Sequence, residues 1–99
     1  MVKMRFSYRN RDGSERSTMR AEKRFIEYFV PQVGTHVQVE SDDCEVSARV
    51  SEVWWRSQAE SYKIIVHTVE QVYSDGDVDE SKRKHIELLR HQGWLCTSR

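Results

Sequence analysis

Residues 37–69 constrain the fold more than any other part of the sequence, because β-branched and aromatic residues recur there at a period close to two. Polar breaks, one containing Ser41 and one containing Ala59, divide this stretch into three runs. Such runs bounded by polar residues are typical of β-strands, so the segment predicts three successive strands. The third run is apolar on both faces, which indicates a central strand. No other part of the chain is apolar enough to nucleate a core.

The second of these runs breaks its own alternation at Val53, Trp54 and Trp55. An extra residue near Ser51 and Glu52, forming a β-bulge, would restore it. The two adjacent tryptophans would then lie on opposite faces of the strand. We therefore expect one tryptophan to be buried and the other exposed.

Residues 3–19 predict a β-hairpin. The first arm alternates apolar and basic side chains, and Asp12-Gly13 supplies the positive φ that a tight reversal needs. The returning arm is polar and has one apolar anchor, Met19. We expect it to be short and partly exposed or mobile.

Residues 20–30 leave helix and strand both open, since good helix formers are followed by an aromatic and β-branched run. Pro31 ends whichever element precedes it. The following segment, VPQVGTHVQV, resembles the opening of small SH3-like barrels, in which a strand turns sharply at a glycine, here Gly34. The resemblance implies a barrel class and no particular function.

The C-terminal part predicts a helix over residues 80–91. Asp79 is the expected N-cap, and Gly93 lies where a C′ glycine is expected. Trp94 and Leu95 are expected to fold back onto the last helical turn.

Ninety-nine residues form one domain with a thin core. The predicted fold class is α+β and mostly β: a small SH3-like or partly open β-barrel or meander with an N-terminal β-hairpin and one C-terminal helix. Within this single domain, residues 1–30 form the basic hairpin with the undecided segment. Residues 31–73 form the meander core, and residues 74–99 form an acidic loop and the helix.

Charge is distributed unevenly along the chain although the formal net charge is zero. Residues 1–30 carry eight Lys and Arg against four Asp and Glu, residues 31–80 carry three against eleven, and residues 81–99 carry five against one. Opposite charges attract, so the basic ends could fold back onto the acidic middle. Alternatively, the ends form a basic face for an acidic partner.

Hydropathy and cysteine usage predict a cytoplasmic protein. No run of ten apolar residues occurs, and the first ten residues lack the apolar core of a signal peptide, so no membrane contact is expected. Cys44 and Cys96 lack the spacing of a metal clip or a redox pair. We expect two free thiols.

No motif predicts catalysis, a cofactor or a metal. The acidic loop at residues 75–80 lacks the glycine and glutamate positions of a calcium loop. The four histidines lack metal-ligand spacing. A nucleophilic pairing of Cys44 with His36 or His67 across strands stays open, but no nucleotide or hydrolase motif accompanies it. The expectation is a protein without catalytic residues, cofactor or metal.

The remaining signal is surface recognition. Basic residues of the N-terminal block are interleaved with Phe6, Tyr8 and Phe25, which suits phosphate contacts with base stacking or docking onto an acidic protein. An ordinary solvated arginine face is the third interpretation. The residues predicted to bind a partner are Arg5, Arg9, Arg11, Arg20, Arg24, Trp54, Trp55 and Arg56.

The leading hypothesis is a small non-enzymatic module that binds a protein partner, in the style of a phage or mobile-element accessory or inhibitor protein. Homodimerisation through an exposed edge strand is a further expectation. The alternative is a nucleic-acid-binding small barrel that uses the basic hairpin and the C-terminal helix. A pI near 6.9 argues against that alternative, because domains that bind polyanions are usually strongly basic.

Overall fold

In the residues that the structure describes, one six-stranded sheet and one helix form the fold. The computed structural model describes residues 1–25, 30–58, 61–73 and 77–98. The elements in these ranges are β1 (Val2–Arg9), β2 (Glu15–Lys23), β3 (His36–Glu40), β4 (Glu45–Gln58), β5 (Ser61–Tyr73), α1 (Val78–His91) and β6 (Leu95–Ser98). The strand order is β3-β4-β5-β1-β2-β6. β1 and β5 are parallel and the other pairs are antiparallel.

The sheet curls into a half-barrel, and α1 packs on one of its faces, here called the inner face. The expected mostly-β fold with an N-terminal hairpin and a C-terminal helix is therefore confirmed. In β1 the alternation predicted from sequence places Met4, Phe6 and Tyr8 on the inner face, each at most 1% exposed. Burying one such side chain contributes about 1.5–3 kcal/mol. The core also contains Met19, Ala21, Val39, Val46, Ala48, Leu88, Leu89, Trp94 and Cys96.

The hairpin is longer than the sequence predicted. Gly13 adopts a φ of 87° and donates its N–H to the carbonyl of Asn10 at 3.0 Å, which confirms the turn. β2, however, has nine residues, and the prediction of a short second arm is wrong. Met19 and Ala21 are buried against the core, and β6 pairs along the other edge of β2. These tertiary contacts outweigh the weak local pattern.

β2 continues to Lys23, so residues 20–23 of the segment left open between helix and strand are in a β-strand. Residues 26–29 lie outside the described ranges. In the meander, β4 and β5 shift register between Val50 and Glu52, so the predicted bulge is confirmed. β5 lies between β4 and β1, which confirms its central position.

The helix begins two residues earlier than predicted. Asp77, not Asp79, is the N-cap, and its side chain accepts from the N–H groups of Asp79 and Glu80. The C-terminal end agrees with the sequence: Gly93 has a φ of 88°, and Trp94 is 4% exposed. The prediction that Leu95 folds back onto the helix is wrong, because Leu95 starts β6 and is 65% exposed.

Candidate interaction surfaces

The far ends of β4 and β5 project from the sheet as a two-stranded ribbon. β3 pairs with β4 only as far as Arg49, and β1 pairs with β5 only from Val66 onwards. Residues 54–58 and 61–65 continue to pair with each other beyond these points. Five residue pairs extend for about 17 Å at the usual rise of a strand. We call this ribbon the arm.

Both tryptophans of the arm are exposed, Trp54 by 47% and Trp55 by 67%. The prediction that one of them would be buried is therefore wrong. Among the described residues, β3 pairs with β4 only as far as Arg49, and on the β5 side only Met1 reaches the arm, where its amino group donates to the Ile64 carbonyl at 3.0 Å. Adjacent residues point to opposite faces of a strand, so each face of the arm carries one indole.

On the outer face of the sheet, opposite α1, Trp54 is held by three neighbours. Its indole Nε1 donates to Glu52 Oε2 at 2.8 Å. The Arg56 guanidinium lies 5.9 Å from the ring centroid, and the His67 ring meets the indole edge-on at 6.0 Å. Cation–π and edge-to-face contacts of this kind fix a ring in place without burying it.

On the inner side of the arm, Trp55 pairs across the strands with Ile64, and Val53 precedes it on the same face. Val53 and Ile64 are half-buried. Val53, Trp55 and Ile64 give this side of the arm an apolar surface. The arm therefore presents a cationic aromatic side and an apolar side.

The predicted arginines separate into two groups. Arg5 and Arg20 are exposed and lie directly opposite each other on the outer face, and Arg9 lies further along β1. Arg9 donates to the carbonyl of Gly13 at 3.3 Å. Arg56 shares the outer face through the arm. The other two predicted residues lie outside this face: Arg11 belongs to the hairpin turn and Arg24 follows the end of β2.

The aromatic residues expected to stack on bases are not available for it. Phe6 and Tyr8 are at most 1% exposed. Phe25 is 39% exposed, but its ring packs edge-on against Trp94 at 5.6 Å and carries Lys23 at 5.2 Å. The alternation of β1 determines this outcome, because its aromatic side chains share the inner face while its basic ones share the outer face.

Ion pairs partly join the charge blocks. Arg16 makes a bidentate contact with Asp79, at 2.9 Å from Nε and 2.7 Å from Nη2, and this hydrogen bonding lowers the pKa of the Asp79 carboxyl. Arg83 pairs within the helix with Glu80 and Glu87. The basic N-terminal block thus reaches the acidic middle at Arg16, while Arg5 and Arg20 make no ion pair with any described residue.

Sequence reasoning missed a polar pair beneath the helix. The Tyr8 hydroxyl lies 3.0 Å from His85 Nδ1, and the rings are 5.9 Å apart. Burial lowers the pKa of His85 and raises that of Tyr8, to which Cys96 and Cys44 add a smaller effect. No local pattern signals this pair, because its members are 77 positions apart.

The cysteine–histidine pairing left open by the sequence does not form. Cys44 packs against the inner-face core, whereas His36 and His67 line grooves on the outer face. Both cysteines are free, and burial raises the pKa of the Cys96 thiol. Within the described ranges, no cluster of three or more His, Cys, Asp or Glu side chains is placed to hold a metal ion. The helix of these ranges is too short and too polar to cross a membrane.

Comparison with protein families, characterised proteins and solved structures finds no match for this chain. The exposed side chains of the fold are therefore the guide to its function. Two surfaces stand out: the arm with its two tryptophans, and the basic outer face of the sheet. They meet where Trp54 contacts His67.

Proposed function

We propose that this protein is a small non-enzymatic protein-binding module that docks through its arm. The observation that supports the proposal is the exposure of two adjacent tryptophans, 47% and 67%, on opposite sides of a projecting ribbon. Trp and Arg are the residues most enriched among the side chains that dominate interface energetics. Trp54, Trp55 and Arg56 supply both types within three positions.

The fold prepares these side chains for binding. Trp54 is already oriented by Glu52, Arg56 and His67, so little side-chain freedom is lost when a partner covers it. Trp55 and the half-buried Ile64 and Val53 give the partner an apolar surface on the other side. A partner that contacts both sides of the arm, for example by binding it in a cleft, would bury both indoles.

The biological role that fits such a module is that of an accessory or inhibitor protein, of the kind that phages and mobile elements encode, acting by covering a site on a cytoplasmic protein. The small size and the absence of a recognised catalytic motif support this part of the proposal. The SH3-like character of the barrel, suggested by the segment around Gly34, belongs to the same proposal. β3 and β6 are the edge strands of the sheet, and a second copy of the chain could pair with either of them. Self-association is therefore the competing proposal.

The nucleic-acid alternative, as predicted from a hairpin acting together with the helix, has less support. α1 packs on the inner face, whereas Arg5 and Arg20 lie on the outer face, so the sheet separates these two arginines from the helix. Arg83 of the helix is also neutralised by Glu80 and Glu87. A polyanion bound along Arg5 and Arg20 would therefore run on the side of the sheet away from α1.

The test compares three forms of the protein as bait in extracts of its native cell, with quantification by mass spectrometry. The double variant Trp54→Ser with Trp55→Ser should lose the partner that the unchanged protein captures. Val33→Ser is the matched control, because Val33 is 63% exposed and lies outside the arm. Retention of the same partner by the double variant would contradict docking through the arm. Recovery of this chain alone would favour a homo-oligomer.

A purified partner then allows a direct measurement. Tryptophan fluorescence of the arm should change in a saturable titration, and the double variant should weaken affinity at least 30-fold, on the order of the 2 kcal/mol that defines a dominant interface residue. Val33→Ser should bind as the unchanged protein does. A fluorescence change without loss of affinity in the double variant would place the interface elsewhere.

A further inference from the structure

Three arginines lie on one line across the outer face of the sheet, Arg20 beside Arg5 and Arg49 one strand further on, past Val69. The register pairs Thr97 with Arg20, Arg20 with Arg5, Arg5 with Val69, Val69 with Arg49 and Arg49 with His36. This line crosses all six strands and is called the arginine row. With strands about 4.8 Å apart, it extends for about 24 Å.

Within the part of the chain that the structure describes, no carboxylate forms an ion pair with the arginine row. Arg5 and Arg20 are directly opposed across two strands, an arrangement of like charges that destabilises a sheet. Arg5, Arg20 and Arg49 form no ion pair with the described residues. The nearest carboxylate on β2 is Glu22, and its register partner is Lys3. An anion that covers this line would relieve the repulsion between Arg5 and Arg20.

Two grooves provide the space for that anion. The first, with a volume of about 420 Å³, is lined by Arg5, Arg20, Lys3, His67 and Thr97 among others. The second, of about 590 Å³, lies on the β5 side of the first and is lined by residues that include Arg49, His36 and Tyr73. Each groove also contains one carboxylate, Glu22 in the first and Glu70 in the second. Cations outnumber carboxylates in the first groove.

Each groove also combines cations with aromatic rings. His67 lines the first groove, and its ring touches Trp54. Tyr73 lines the second groove, is 64% exposed, and is held by a hydrogen bond from its hydroxyl to Gln71 Oε1 at 2.9 Å. Surfaces that bind single-stranded nucleic acid have this composition, because cations follow the backbone while rings stack on bases.

We propose that single-stranded nucleic acid binds across the outer face along the arginine row. Its phosphates contact Arg20, Arg5 and Arg49, and its unpaired bases stack on Tyr73 and on the His67–Trp54 pair. A duplex keeps its bases stacked inside and would offer only phosphates to these rings. An acidic protein would match the charge, but a single strand uses both the cations and the rings of the grooves, through its phosphates and its bases. This function goes beyond protein docking and uses a surface that Trp55 does not share.

The test measures fluorescence anisotropy of a labelled 16-nucleotide single strand of mixed sequence with the full chain at low and moderate salt. Binding should weaken steeply with salt, since each phosphate contact contributes about 0.7 to the slope of log K against log salt. Arg5→Glu should weaken binding at least tenfold and reduce that slope. Lys84→Glu is the matched control, because it makes the same charge change on α1, and it should alter affinity less than twofold. Thermal unfolding of both variants verifies that each is folded.

Two further arms identify the ligand. Tyr73→Ala should weaken binding of the single strand about three- to tenfold and leave heparin, a polyanion without bases, unaffected. A duplex of the same sequence should bind at least fivefold more weakly than the single strand. Absence of single-strand binding at low salt would overturn the proposal, as would equal loss in Lys84→Glu. Equal binding of heparin and the single strand, with no effect of Tyr73→Ala, would instead indicate a general anion surface.

Discussion

The two faces of the sheet differ in burial and in charge although they are built from the same strands. In β1, Met4, Phe6 and Tyr8 face α1 and are almost completely buried, while Lys3 and Arg5 line the outer groove. One residue step along the strand exchanges a packed core for a charged surface. Alternate residues of β1 therefore build the core and the charged surface that we propose for ligand binding.

The two faces also differ in how their cross-strand pairs affect the stability of the sheet. The inner face pairs apolar side chains across strands, as Phe6 does with Met19, and every such contact favours folding. The adjacent register pair, Arg5 with Arg20, lies on the outer face and places two positive charges opposite each other. A sheet selected only for stability would not keep that pair, which is why the outer face is the one to test for ligands.

The largest expected effect comes from truncating the inner face. Phe6→Ala should lower the free energy of unfolding by about 3–5 kcal/mol, because it removes a ring that is 1% exposed and leaves a cavity beneath α1. Its neighbour Arg5→Ala should change stability by less than about 0.5 kcal/mol, or raise it slightly, since it relieves the repulsion from Arg20. Urea denaturation of both variants measures the difference. Similar losses in both would remove the distinction between the faces.

A smaller effect is expected at the start of the helix that covers the inner face. Asp77→Ala should cost about 1 kcal/mol, because the Asp77 carboxylate accepts from the N–H groups of Asp79 and Glu80. Asp79→Ala is the informative control: Asp79 was the cap predicted from sequence, but it serves as the ion-pair partner of Arg16. Urea denaturation should show a larger loss for Asp77→Ala. The reverse order would restore the sequence-based assignment.

Local patterns predicted the parts of the fold that local geometry decides. The Asp12-Gly13 turn, the bulge beside Ser51 and the glycine end of the helix each follow from a few adjacent residues whose backbone needs are specific. The apolar character of β5 on both faces was enough to place it centrally. In each case the information lies within about ten positions of the feature.

Features that depend on distant pairing were beyond the sequence. β6 has only four residues, LCTS, and exists because β2 offers it an edge more than 70 positions away. The exposure of both Trp54 and Trp55 depends on where β1 and β3 stop, which no pattern inside β4 reveals. The arginine row requires the parallel register of β1 with β5, since that register aligns Arg5 with Val69 and so with Arg49. The predicted list therefore contained Arg5 and Arg20 but omitted Arg49.

The smallest expected effect is a pH dependence confined to the inner face. Burial lowers the pKa of His85 below its ordinary value of 6.5, so the folded state binds this proton less readily than the unfolded state does. Stability should therefore be fully present above about pH 6.5 and decline as the pH falls through that value towards the folded pKa. The Tyr8 hydroxyl can donate to Nδ1 only while that nitrogen carries no proton.

Urea denaturation at about pH 7.5 and about pH 5.5 isolates this effect, because the carboxyl groups with lowered pKa values, Asp12, Asp79 and Glu80, lose their contributions only at more acidic pH. His85→Gln should remove much of the decline between the two pH values, since it deletes the group that titrates beneath the helix. His67→Gln is the matched control on the outer face, where the ring lines an open groove, and it should keep the decline. If His67→Gln abolished the pH dependence and His85→Gln preserved it, the group responsible would lie on the outer face. Burial of His85 beneath the helix would then not be the cause of the decline.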